Sequence, residues 1–207
     1  MYKLVTFLGA LVLSSLTHAV TVHDEVEDGD LSTDGSAPTE LNFILGTNTI
    51  VGTVTGPAAM AGNPDGPDVR DFFTFTIDDG FQLTEINLLG FTLSNQGFAT
   101  ITAGTTAENP SAGTIGGTLG GSHVNNSDAG FGTLGTNLAN ADQGGSGFTF
   151  PLGAGDYTFL IQETGDEPSL YHLEFEVSAV PLPAAAWLFI SGLMGLFGLK
   201  RFRSQKP

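Results

Sequence analysis

Apolar and polar side chains alternate along several short stretches in the middle of the chain. Every second residue of 171–177 is apolar and the residues between are polar or charged, and residues 157–162 show a similar period of two. In residues 71–77, one face of the predicted strand consists of Phe73, Phe75 and Ile77. The opposite face consists of Phe72, Thr74 and Thr76. Because successive strand side chains point to opposite faces of a sheet, the alternation predicts β-strands that each bury one face.

Five further segments have the composition of strands: residues 41–45, 48–54, 83–93, 98–103 and 148–152. Clusters of Gly, Pro, Asp and Asn separate the predicted strands, and the body shows no persuasive helical period. Eight short strands with such turns predict an all-β body over residues 41–179, an antiparallel β-sandwich or jelly-roll-like domain. The 16 Phe residues are expected to supply much of its core.

Two segments lack this pattern. Residues 22–40 carry seven acids, no base and few apolar side chains, so residues 20–40 are predicted to form an acidic leader, extended or disordered. Residues 104–147 are rich in Gly, Thr, Asn and Ser and are too long for an ordinary hairpin loop. We expect this Gly-rich insertion to consist of loops with one or two short strands.

The N-terminus has the layout of a secretory signal peptide. Lys3 precedes a short apolar run at residues 4–16, and Thr17 and Ala19 supply small residues at positions −3 and −1 of a cut after Ala19. The run is shorter than the roughly 20 residues that a membrane-spanning helix needs. Residues 1–19 are therefore predicted to be a signal peptide that the secretion translocon recognises and that is then removed.

The C-terminus has the layout of a membrane helix. An uncharged apolar run at residues 184–199 follows two prolines and precedes a basic tail at residues 200–206. At 1.5 Å per residue the run spans about 24 Å, slightly less than an average hydrocarbon core. The basic cluster that stops transfer is expected to stay in the cytoplasm, with the acidic body outside; it consists of Lys200, Arg201 and Arg203.

The charges are segregated along the chain. All 22 acidic residues fall between Asp24 and Glu176, where Arg70 is the only base, which gives this interior a formal charge of −21. Such a surface repels phosphate backbones, so nucleic acid is excluded as a partner. The absence of Cys excludes disulfides, thiolate catalysis and Cys-based zinc sites.

The C-terminal segment, residues 180–207, resembles a PEP-CTERM sorting signal. The motif Val180-Pro181-Leu182-Pro183, the short apolar helix and the basic end are similar to the Val-Pro-Leu-Pro variant of that family, with Leu182 in place of the acid of Pro-Glu-Pro. The resemblance implies a Gram-negative bacterium and an inner-membrane-anchored precursor. It further implies that an exosortase cuts near residues 181–183 and leaves the body at the cell surface or in the extracellular matrix.

The body, over roughly residues 40–178, resembles the bacterial pre-peptidase C-terminal domain, a small sandwich of secreted proteins. The resemblance is carried by the segments 41–54, 68–77, 152–159 and 171–177. The middle strand of that family commonly contains Asp-Leu-Tyr, and here the nearest segment, residues 98–101, lacks the Asp.

One loop has the composition of a calcium site. Asp65, Asp68 and Asp71 are spaced three residues apart with turn residues between them. Calcium takes 6–8 oxygen ligands and tolerates backbone carbonyls and water, so a loop before a strand can supply them. The alternative interpretation is a solvated turn in which Arg70 pairs with a neighbouring acid. No cofactor is expected to be required, and Ca²⁺ is the candidate.

The expected function is non-catalytic: an exported surface or matrix protein associated with exopolysaccharide or biofilm. The four His residues form no His-x-x-x-His pair, and Ser146 lies in a segment that fails the Gly-x-Ser-x-Gly pattern at its last position. An accessory module that binds carbohydrate or calcium is the alternative, and a hydrolase is less favoured. A sugar platform needs exposed aromatic side chains in a row; the candidates are Phe72, Phe81, Phe98 and Tyr171.

Overall fold

Nine strands and two short helices make up most of what the computed structural model describes, namely residues 19–55, 70–92, 97–108, 117–124, 134–139, 146–163, 168–181, 188–189 and 191–194. The strands are β1 (Ala19–Asp24), β2 (Thr39–Leu41), β3 (Gly46–Thr55), β4 (Arg70–Ile77), β5 (Phe81–Phe91), β6 (Gly97–Ala103), β7 (Thr118–Val124), β8 (Gly155–Glu163) and β9 (Pro168–Ala179). The helices are α1 (Glu25–Asp28) and α2 (Leu134–Ala139).

The strands form two mixed sheets. The first sheet has the order β1-β3-β9-β5 and the second has the order β2-β4-β8-β6-β7. β1 runs parallel to β3 and β2 runs parallel to β4, whereas the other neighbours are antiparallel. The predicted all-β class is confirmed. The prediction of purely antiparallel sheets is wrong, because the N-terminal segment adds one parallel strand to an edge of each sheet.

The alternation in the sequence brings an aromatic face of each sheet against the other. The ring of Phe175 in β9 lies 5.7 Å from that of Phe73 in β4 and 5.2 Å from that of Phe159 in β8, with interplanar angles of 83° and 87°. Such edge-to-face pairs contribute about 0.5–1.5 kcal/mol each beyond the burial of their area. Phe175 is therefore a central contact between the two sheets.

The three central strands of the second sheet, β4, β8 and β6, are buried on both faces along most of their length. Phe72, Phe98 and Leu160 point away from the inter-sheet core and are nevertheless buried. Part of the cover comes from the segment after α1: the backbone N–H of Phe72 donates to the carbonyl of Ser32 (2.7 Å), and a Cβ at Gly35 would lie 2.9 Å from the Phe72 ring. The prediction that each strand buries one face is thus wrong for this sheet.

The acidic segment predicted as a leader is part of the fold. β1 pairs with β3 from Ala19↔Thr47 to Asp24↔Val51, and β2 pairs with β4. Leu31 and Leu41 are buried in the core, and Val22 packs against it. The structure therefore differs from an extended or disordered leader, because a few well-spaced apolar side chains are enough to attach an otherwise acidic segment to two sheet edges.

The described part of the Gly-rich insertion contains β7 and the unpredicted helix α2. Leu134 and Leu138 of α2 are buried in the core. A Cβ at Gly120 of β7 would collide with the backbone carbonyl of Leu138, so the absence of a side chain allows the helix to lie directly against the strand.

Two predicted strands differ in the structure. Residues 148–152 form only an isolated bridge between Leu83 and Leu152, although Phe148 and Phe150 pack against the core. Of residues 41–45, only Leu41 belongs to a strand, and Phe43 turns inward to stack on Phe75 at 4.2 Å. Both segments have the apolar content of a strand, but most of their residues lie in loops whose apolar side chains pack against the core.

Candidate functional site

The predicted calcium ligands lie partly outside the described residues. Asp65 and Asp68 are not among those residues, and Asp71 is the second residue of β4, with 0% of its surface exposed. The structure brings Asp71 together with two acids that the sequence did not single out, Glu25 and Asp30. One carboxylate oxygen from each of the three lies within 4.8 Å of the other two. We call these three residues the acidic site.

A short turn after β1 positions Glu25 and Asp30. Asp24 caps α1, with its Oδ1 accepting from the backbone N–H of Val26 at 3.0 Å. The backbone N–H of Gly29 donates to the carbonyl of Glu25 at 3.2 Å, and the φ of Gly29 is +93°, a value that favours glycine. Glu25 begins this turn and Asp30 follows it, and the turn brings their carboxylates close together.

The buried end of the acidic site is fixed by hydrogen bonds from the first sheet. The Tyr171 hydroxyl donates to Oδ2 of Asp71 at 2.8 Å, in a buried position. The backbone N–H of Thr53 donates to Oε2 of Glu25 at 2.6 Å. These two donors, one from a side chain and one from the backbone, fix the positions of the Asp71 and Glu25 carboxyl groups.

Gly52 provides the space in which these groups meet. It pairs with Tyr171 across the β3–β9 ladder. A Cβ at this position would collide with the Tyr171 hydroxyl and would lie 2.8 Å from the carboxyl carbon of Glu25. Any side chain at position 52 therefore displaces either the phenol or the Glu25 carboxylate.

The acidic site has the chemistry of a hard-cation site. Calcium binds oxygens at 2.3–2.6 Å, so two ligands on opposite sides of an ion are roughly 5 Å apart. One carboxylate oxygen of each residue lies within that separation of the other two, so a single ion could contact all three. Carboxylate oxygens are among the ligands that a hard divalent cation prefers.

A second buried acid lies at the same end of the second sheet. Glu163 is the last residue of β8, and its Oε2 accepts from the Ser169 hydroxyl at 2.6 Å. Neither Glu163 nor Glu25 could be distinguished from ordinary surface acids by sequence, because their burial depends on which strands meet. The only local signals for the turn at Glu25 were an Asp cap and a glycine five residues later.

The aromatic residues named as a sugar platform do not form one. Phe72, Phe98 and Tyr171 are buried, and Phe81 is half-buried against the core. Their rings belong to the fold rather than to an exposed row, so that hypothesis is wrong for these four residues.

The described histidines lie on three different strands. In β1 the Nε2 of His23 is 3.0 Å from the carbonyl of Gly29, within the turn that carries the acidic site. His123 of β7 packs against the Phe98 ring at 5.4 Å. His172 is on β9, half-exposed. The three described histidines therefore lie in three different environments.

The expected processing motif begins where the last strand ends. β9 ends at Ala179, the backbone N–H of Val180 donates to the carbonyl of Gly80 at 2.8 Å, and Pro181 is exposed. Leu182 and Pro183 lie outside the described residues, as do Lys200, Arg201 and Arg203. At the other end of the chain, Ala19 is the first residue of β1.

Of the apolar run at 184–199, the structure describes two helical pieces, residues 188–189 and 191–194, whose side chains are exposed. None of the described helices combines the length and the apolar character that crossing a membrane requires.

Comparison with known proteins adds no relative. No protein-family model matches this chain, and no curated protein matches it significantly.

Proposed function

We propose that this chain is an exported protein whose C-terminal tail is removed by a membrane exosortase. The mature product is then a non-catalytic, acidic β-sandwich at the cell surface or in the extracellular matrix of a Gram-negative bacterium. The tail contributes a single membrane helix, residues 184–199, to an inner-membrane precursor.

The position of the sorting-like motif carries this proposal. Val180 follows the last residue of β9 directly, and Val180 and Pro181 are exposed. A protease that cuts at residues 181–183 would therefore leave every described strand intact and would need to unfold none of them. The exposed apolar side chains of residues 188–189 and 193–194 support the same proposal, because such a helix needs an apolar environment.

The charge of the body supports the extracellular role. The formal charge of −21 over residues 24–176 favours solubility and opposes non-specific association with anionic polymers. Association with an acidic exopolysaccharide would then require bridging divalent cations, which carboxylates bind. A matrix role would therefore depend on divalent cations, which are also the ions that the acidic site would bind.

Fractionation of the native host tests the proposal. The double variant Pro181→Ala/Pro183→Ala should accumulate as a longer form in the inner membrane, whereas the wild type and a Ser204→Ala control should leave it. If the wild type remains in the inner membrane as the full-length chain while the exosortase is present, the proposal is contradicted.

A divalent-cation-binding role is the second candidate, and the acidic site favours it. Glu25 and Asp30 come from the N-terminal turn, whereas Asp71 comes from the second sheet. An ion held by all three would fasten the N-terminal segment to the body. This differs from the loop site predicted at Asp65, Asp68 and Asp71, of which only Asp71 is shared.

A further inference from the structure

One loop presents two adjacent apolar side chains to solvent. Between β2 and β3, Phe43 inserts into the core, whereas Ile44 is 48% exposed and Leu45 is 49% exposed. Phe43 thus points into the core, whereas the two side chains that follow it point toward solvent.

Asn48 fixes that shape. Its side chain is fully buried, its Oδ1 accepts from the backbone N–H of Ile44 at 2.7 Å, and its Nδ2 donates to the carbonyls of Ile44 (2.8 Å) and Gly46 (3.0 Å). A buried amide satisfied in this way holds the turn rigidly. The backbone is therefore held on both sides of Leu45, at Ile44 and at Gly46.

The loop lies at the end of the sandwich where the chain leaves toward its tail. Gly46 pairs with Val177, and Phe81 pairs with Ala179. The residues before Gly46 and the residues after Ala179 therefore leave the first sheet at the same end. Val180 is itself 46% exposed. We call Ile44, Leu45 and Val180 the exit patch.

The tether between the exit patch and the proposed membrane helix is very short. Val180 and Ala184 are four residues apart, which limits their separation to about 14 Å even for a fully extended chain. The headgroup layer on one side of a bilayer is roughly 5–8 Å thick. If residues 184–199 enter the hydrocarbon, this end of the body is held at or next to the headgroups.

From these observations we propose that the exit patch contacts the lipid interface beside the chain's own C-terminal helix. Apolar side chains at a membrane surface reach about 5–10 Å into the headgroup boundary. The contact orients the uncut body with its exit edge on the membrane. The inference rests on the proposed tail anchor and adds to it which surface of the body faces the lipid.

Charge sets the lipid preference of this contact. Asp78, Asp79 and Asp156 are exposed at the same end of the sandwich. These acids disfavour anionic headgroups, so phosphatidylethanolamine is the preferred neighbour and the contact depends on the tether. Removal of the tail should therefore release the body from the lipid surface.

A single-cysteine labelling experiment tests the contact, because the natural chain has no Cys. The uncut full-length chain carries Leu45→Cys, labelled with an environment-sensitive fluorophore, and is reconstituted in phosphatidylethanolamine-rich vesicles containing spin-labelled lipid. Leu170→Cys is the matched control, since Leu170 is 47% exposed on β9 near the opposite edge. We expect a blue-shifted, lipid-quenched signal at position 45 and an unquenched, water-like signal at position 170.

Flotation of the vesicles separates the two proposals. Chains that float with the lipid but show equal, water-like signals at both positions overturn the exit-patch contact and leave the anchor intact. Chains that do not float contradict the anchor and the contact together. Protection of position 45 that arises only when exosortase is added identifies the enzyme as the partner and overturns the lipid contact.

Discussion

Asp71 is enclosed at the beginning of β4 and is the residue on which the acidic site depends. We expect millimolar Ca²⁺ to raise the unfolding temperature of the wild type and Asp71→Asn to remove this rise. Binding at 100 times the dissociation constant stabilises by about 2.7 kcal/mol, which is several degrees for a domain of this size. Thermal melts in Ca²⁺ and in EGTA measure the effect.

The control for that comparison is Asp79→Asn, because Asp79 is an exposed turn acid between β4 and β5. It should keep the full response to Ca²⁺. Identical wild-type melting curves in Ca²⁺ and in EGTA would contradict the prediction of a cation site.

Tyr171 and Tyr157 form a matched pair for the buried hydrogen bond. Tyr171→Phe removes a donor to the carboxylate of Asp71, whereas Tyr157→Phe removes a donor to the backbone carbonyl of Gly153 at 2.9 Å. Bonds to charged groups contribute about 1.5–3 kcal/mol and neutral ones about 0.5–1.5 kcal/mol. Urea unfolding should therefore show the larger loss for Tyr171→Phe; a larger loss for Tyr157→Phe contradicts the assignment.

Tyr157 also gives an alkaline pH dependence. Burial raises the pKa of the Tyr157 phenol above its ordinary value of about 10. The stabilisation is complete below pH 10, where the phenol is protonated in both states, and is lost as pH rises through the folded-state pKa. Between about pH 9 and 11, the free energy of unfolding should fall less steeply for Tyr157→Phe than for the wild type. Equal slopes would exclude this contribution.

At the scale of elements, the meeting of β3, β9 and α1 at Gly52 is the tightest point near the site. Gly52→Ala should destabilise the protein by about 1–3 kcal/mol, the usual cost of overpacking. Gly153→Ala is the control, since nothing lies within 4 Å of a Cβ there. Urea midpoints compare the two; equal midpoints would mean that α1 and the Tyr171 ring move away at little cost.

Alternation in the sequence predicted β4, β8 and β9, and strand-like composition predicted β3, β5 and β6. It could not predict β1, because that strand lies at an edge and only Val20 and Val22 provide its apolar content. Nor could it predict α2, whose six residues are too few for a helical period. Residues 148–152 show the converse error, since their two Phe side chains pack on the core without any strand.

At the scale of the whole molecule, the acidic site and the exit patch lie toward opposite ends of the sandwich. Tyr171 and Ala179, the last residue of β9, are eight residues apart on that strand, about 26 Å at 3.3 Å per residue, and Val180 follows directly. An anchored precursor would therefore present the acidic site away from the membrane. Cation binding could then proceed before or after the tail is removed.

Sequence reasoning reached one residue of the acidic site, Asp71, and missed Glu25 and Asp30. The spacing of acids along one loop is visible in sequence, but the meeting of an N-terminal turn with a strand 40 residues later depends on the pairing of β1 with β3. The terminal segments are the opposite case, because charge and hydropathy alone define them and no tertiary contact is needed.

The intact mass of the mature protein from its native host tests the central proposal most directly. With the exosortase present, the mass should correspond to a chain that begins at Val20 and ends within residues 180–183. Without the exosortase, the same N-terminus should be found with the tail retained through Pro207. A mass that includes the complete tail in cells with an active exosortase would contradict the account.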